Sequence, residues 1–137
     1  MLVAMALTFR LIGFGWNGGG ILLDPALQSP KLIAVWTSIA PQPLVVGDPM
    51  KIFPLLIGLS IIHAAVYGWL APHWPAGACV RGLRLAGVTF LFSYLFWEIF
   101  TPYNLFGEPP ALMALELAFW ASIAVAEGLA IAWVMER

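Results

Sequence analysis

Five ionisable residues, Arg10, His63, Glu98, Glu116 and Glu127, interrupt stretches of this sequence that are otherwise apolar. A charge held in hydrocarbon is costly, so such a side chain must find a counterion, keep a proton or line a wet cavity. These residues are therefore the candidates for proton or cation chemistry. Glu116 and Glu127 stand eleven residues apart. On a helix, eleven steps of about 100° return to within about 20° of the starting face, roughly 16 Å further along the axis, which predicts a polar stripe. Tyr94 lies one turn before Glu98, on the same helical face, with a hydroxyl to donate, and His63 is followed one turn later by Tyr67.

The connection from Pro102 to Pro110 is short, so the helices it joins must be antiparallel neighbours. That places Glu98, just before the connection, near the depth of Glu116, just after it. Two carboxyls in one apolar layer call for a shared proton or a cationic partner, with Arg10 and His63 as the available cations. Arg10, His63, Tyr94, Glu98, Glu116 and Glu127 thus form a candidate polar network or proton path. The metal signal is weaker. There is no Glu-x-x-His pair and no His-x-x-x-His, and the only other histidine, His73, falls in a loop, so no metal ligands are assigned.

Other chemistry finds little support. Gly18-Gly19-Gly20 lacks the strand and the following Lys of a phosphate-binding loop, so no cofactor can be named. No nucleophile and base stand in a recognisable arrangement, and no catalytic residue is assigned. A lone cysteine, Cys79, permits neither an internal disulfide nor a paired-cysteine zinc site. With a net charge of -1 and no basic run, the chain has no electrostatic footprint for nucleic acid.

The elements that must position these residues follow from composition. Of 137 residues, 62% are hydrophobic and only 9% are charged, with a mean hydropathy of +0.93. A soluble domain carries about a quarter charged residues. Too few polar groups remain to clothe a water-facing surface, so lipid must solvate much of the exterior. Crossing the hydrocarbon takes about 20 apolar residues. Ile52 to Ala71, Leu85 to Thr101 and Ala111 to Val134 meet that need, bounded by Pro49, Lys51, Pro72, Arg81, Arg84, Pro102, the Pro109-Pro110 pair and the terminal Glu136-Arg137. Met1 to Leu23 is long enough as well, but Arg10 and the glycines at 18 to 20 predict a helix that breaks or ends there, since each Gly weakens a helix by about 1 kcal/mol. With no basic leader and no clean cleavage pattern, this run reads as part of the mature protein.

The fold class that follows is all-α. The chain is expected to be a polytopic membrane protein of about four transmembrane helices in an antiparallel bundle. Their expected ranges are about 1–23, 52–71, 85–101 and 111–134, and residues 1–137 form a single transmembrane domain. Residues 24–50, divided by five prolines, are expected to be interfacial or re-entrant. Ser60, Ala64 and Gly68 on one helix, and Ala124, Gly128 and Ala132 on another, are small residues at four-residue spacing, suited to close helix packing. The tryptophans toward the ends of the runs read as an interfacial belt, and Glu108 reads as a charge that favours the positive end of the last helix.

Arg81, Arg84 and Arg137 outnumber Lys31 and Lys51 on the opposite side, which puts both termini in the cytoplasm. The first functional reading is a non-enzymatic accessory subunit or a homo-oligomeric bundle, with the lipid bilayer and other membrane subunits as partners. The second is a proton- or cation-coupled small-solute transporter using the intramembrane Glu and His residues. A membrane-embedded enzyme or metal site comes third.

Overall fold

The computed structural model describes residues 20–137. Arg10 and the predicted first helix up to residue 19 lie outside the described residues. Its predicted last turn does not continue as α-helix, because Ile21–Leu23 form a 3-10 turn that ends at Asp24. All regular structure among the described residues is helical. After that turn come α1 (Pro30–Thr37), the short α2 (Leu44–Gly47), α3 (Pro49–Leu70), α4 (Ala78–Phe106) and α5 (Pro110–Met135). The last three are long and apolar enough to cross a membrane, giving the chain the helices of an all-α membrane bundle.

Each boundary has a local cause. The Ser29 side chain accepts a hydrogen bond from the Leu32 amide at 3.2 Å and caps α1, whose first residue, Pro30, has no amide to leave unsatisfied. The segment expected to be interfacial or re-entrant therefore holds a capped two-turn helix. At its far end α3 tightens into a 3-10 turn over Ala71–His73, which contains Pro72.

Helix α4 differs from its expected range of 85–101 at both ends. It starts at Ala78, so Arg81 and Arg84 belong to its first turns rather than to a loop. Their long stems let the charged heads leave an apolar helix surface, and Arg81 reaches back to the Pro75 carbonyl at 3.2 Å. At the other end it runs past Pro102 to Phe106 by adopting the wider π geometry over Ile99–Phe106. A proline in a regular α-helix meets the carbonyl four residues back, and a π turn moves that carbonyl away. The predicted loop from Pro102 to Pro110 thus shrinks to Gly107, Glu108 and Pro109. Gly107 makes the reversal with φ +68°, a left-handed conformation that glycine adopts without a Cβ penalty.

A second π segment, Phe90–Tyr94, lies mid-helix. Its effect is visible in which residues are buried. Gly82, Leu85, Ala86 and Thr89 follow α spacing, the next buried residue is Tyr94, and then come Glu98 and Pro102 at four-residue steps. The five-residue step from Thr89 to Tyr94 is the spacing of a π turn. Because the wide turn absorbs that extra residue, the second half of α4 still faces α5, with Glu98 turned inward.

Helices α4 and α5 form the tightest pair. A Cβ built on Gly82 would stand 2.9 Å from the Gly128 carbonyl oxygen, so the two backbones approach as closely as they do only because both positions lack side chains. Ala124 and Ala132, one turn to either side of Gly128, are buried in the same seam. Helix α3 joins through its C-terminal half, where Tyr67 and Ala71 pack with Leu85 and Ala132. Its small-residue row does not make a comparable crossing: the nearest atom to a Cβ on Gly68 would be the tip of Met135, at 3.8 Å. Only 11% of the α3 span is buried, against 28% of each of the other two.

Candidate functional site

Glu98, Glu108 and Glu116 come together at the α4–α5 hairpin, and one carboxylate oxygen from each lies within 4.8 Å of the others. Glu98 ends the short α-helical stretch between the two π segments and is fully buried. Glu108 occupies the reversal and is 2% exposed, while Glu116 projects from α5 and is half-buried. Trp120, one turn beyond Glu116, donates its indole N–H to Glu98 Oε2 at 3.1 Å. Tyr94 stacks on Trp120, with centroids 4.9 Å apart and planes 10° from parallel. Trp120 thereby belongs to the site.

Four oxygen atoms at this centre are buried and accept no hydrogen bond from any described residue: Glu98 Oε1, Glu108 Oε2, Glu116 Oε1 and Gln28 Oε1. Gln28 arrives from the turn before α1. There the Asp24 carboxylate accepts from the Ala26 amide at 2.8 Å, and the Asp24 carbonyl accepts from the Gln28 amide at 2.9 Å. Lys31 ties this segment to the hairpin by donating to the Leu105 carbonyl at 2.5 Å, its ammonium 5.4 Å from the centre of the Phe106 ring. The Gln28 side chain, 5% exposed, lies beside the Glu108 carboxyl.

Glu108, which lies between the two spans, has its carboxyl pushed above the usual carboxylate range. Burial is the first cause and the negative charge of Glu98 the second, with hydrogen bonding to Gln28 and Glu116 opposing them. Pro109 is the N-cap of α5 and no side chain caps that helix, so Glu108 makes no capping hydrogen bond there. A carboxylate just before a helix resembles a dipole partner in sequence, and only the closeness of the reversal turns it inward. One available signal was density: three of the chain's seven acidic residues fall between positions 98 and 116.

The remaining predicted residues assemble elsewhere. His63 Nδ1 stands 3.0 Å from Glu127 Oε1, both side chains buried, so His63 joins α3 to α5 instead of meeting Glu98 and Glu116. The predicted stripe on α5 is in this way divided between two centres, Glu116 in the carboxylate cluster and Glu127 with His63. Toward the end of α5, the Tyr67 hydroxyl donates to Glu136, and Arg81 Nη1 donates to Glu136 Oε1 at 3.0 Å. This second tie links α3, α4 and the end of α5, and the sequence reading did not include Glu136 or Arg81 in the network.

Chemically, the carboxylate cluster offers oxygen ligands only, in a buried setting, to a species that carries positive charge. The pair of His63 and Glu127 offers one exchangeable proton between a nitrogen and an oxygen. Comparison with family models, curated proteins and solved structures finds no match, so these two centres carry the functional reading alone.

Proposed function

We propose that this membrane protein is a proton- or cation-coupled small-solute transporter whose coupling ion is taken up at Glu98, Glu108 and Glu116. The observation that carries the reading is the convergence of three carboxylate oxygens within 4.8 Å at the end of two apolar spans. Three like charges repel strongly in such surroundings, and uptake of a positive species relieves the repulsion. Exchange of that species then supplies a free-energy difference that a transport cycle can use. With the arginine-rich end in the cytoplasm, the cluster faces the opposite side, and Glu127 with His63 lies between it and the cytoplasmic end.

The test is reconstitution in liposomes that contain a pH-sensitive dye, with proton and metal-cation gradients imposed in turn. Wild-type protein should dissipate at least one gradient, and Glu98→Gln, checked for fold by circular dichroism and gel filtration, should not. Correctly folded wild-type protein that leaves every gradient intact removes the transport reading. A second reading, an accessory subunit or homo-oligomer, is favoured by the outer face of α3, where Leu55, Ile57, Ile61 and Ile62 are all exposed. Lipid can cover that face as well as protein can, so it ranks second.

A further inference from the structure

The geometry points to a single divalent hard cation of the size of calcium, held by the carboxylates of Glu98, Glu108 and Glu116 and the side-chain oxygen of Gln28. This inference deepens the transport reading above and rests on it for the cation's role, though not for its binding.

Size is the first support. Calcium takes oxygen ligands at about 2.3–2.6 Å, so ligands on opposite sides of one ion stand up to about 5 Å apart. The three carboxylates fit inside that limit, with ligand atoms no more than 4.8 Å from one another. Ligand chemistry is the second. Oxygen-only sets suit calcium, magnesium and manganese, whereas zinc and copper favour imidazole or thiolate, and the one buried histidine is engaged with Glu127.

Gln28 supplies the independent support, because it is neutral and gains nothing from a shared proton between carboxyls. Its side chain is 5% exposed and lies beside Glu108, and its oxygen has no hydrogen-bond partner among the described residues. An amide buried in this way is costly unless something at the cluster uses it. A proton bridges two oxygens, whereas one cation would draw on the three carboxylates and the Gln28 oxygen together. Two positive charges also leave only one of three carboxylate charges to be balanced by a retained proton.

A structural consequence follows. Gln28 belongs to the chain ahead of α1, while the other ligands belong to the α4–α5 hairpin, so the cation would fasten these parts together beside the Lys31 contact with Leu105. Loading and release would then tighten and loosen that link.

The experiment uses manganese(II) as the probe, with the full chain purified in mild detergent at neutral pH. Free manganese is read by its electron paramagnetic resonance signal, and calcium and magnesium are added as competitors. One manganese should bind per chain and be displaced by calcium. Glu98→Gln and Glu116→Gln should abolish binding, and Gln28→Met, which keeps the volume but removes the oxygen, should weaken it by about tenfold or more. Gel filtration and circular dichroism establish that each variant is folded. If the folded wild type binds no manganese, the cation site is wrong, and proton flux in liposomes would then leave the transport reading standing. If manganese binds without any flux, the site stands and the transport reading falls. Equal binding by wild type and Gln28→Met would overturn the four-ligand set.

Discussion

A Cβ on Gly128 would overlap the carbonyl oxygen of Gly82 and stand 3.0 Å from the Ala86 amide nitrogen. These are backbone atoms of the facing helix, which cannot swing aside as a side chain does. The crossing therefore fixes how far α4 and α5 can approach, and with it the spacing of the carboxylates further along the hairpin.

Gly128→Leu should destabilise the bundle by about 1–3 kcal/mol through overpacking, and Gly128→Ala should already lower stability. Thermal unfolding in detergent measures both. An unchanged midpoint for the leucine variant would show that the helices do not cross at this point.

His63→Leu should destabilise by about 1–3 kcal/mol, because it leaves the Glu127 carboxyl buried without its partner. Adding Glu127→Leu should recover much of the loss, since two apolar side chains replace a broken polar pair. A double variant no more stable than His63→Leu alone would indicate that Glu127 answers to some other group.

Glu136 and Glu108 should give opposite responses to pH. The Tyr67 hydroxyl first, and then Arg81, hold the Glu136 carboxyl below its usual range against partial desolvation. Stability from this group is present above an ordinary carboxylate value of about 4.3 and is lost as pH falls through the lowered one. Glu108 is raised, so its protonated form is favoured by folding. Its contribution is full below about 4.3 and is lost as pH climbs through the raised value. Glu136→Gln should therefore remove part of the acid sensitivity seen by thermal unfolding, and Glu108→Gln part of the sensitivity on raising the pH. Glu98 and Glu116 share the second site, so the Glu108 effect should be a reduction rather than an abolition.

Cys79 should be reached by an impermeant maleimide only after cells are permeabilised. The side chain is exposed at the start of α4, so silence from outside cannot be attributed to burial in the bundle. Labelling of intact cells would reverse the proposed orientation and put the carboxylate cluster on the cytoplasmic side.

The apolar runs made three spans legible, because twenty uncharged residues between prolines and charges admit few other readings. The hairpin was legible too, and with it the neighbourhood of Glu98 and Glu116. Four features were not. Pro102 reads as a helix stop unless one knows that the turn around it is widened, and Arg81 reads as a loop residue unless its head has somewhere polar to go. Glu108 reads as a helix cap, since its inward turn depends on the left-handed Gly107 beside it. Gln28 carried no signal at all: a lone amide in a proline-divided segment gains meaning only once Lys31 and Leu105 bring that segment onto the hairpin.

The π segment at Phe90–Tyr94 makes the site depend on the pitch of α4 and not on its side chains alone. Tightening that turn to ordinary α pitch with no residue removed would swing everything beyond it by about 100° about the helix axis. Glu98 would leave the cluster while every side chain stayed chemically the same. Removing one residue would instead turn the five-residue step from Thr89 to Tyr94 into the four of an α-helix and leave Glu98 on its face, so the wide turn marks where a single inserted codon is absorbed without moving the carboxylate off its neighbours.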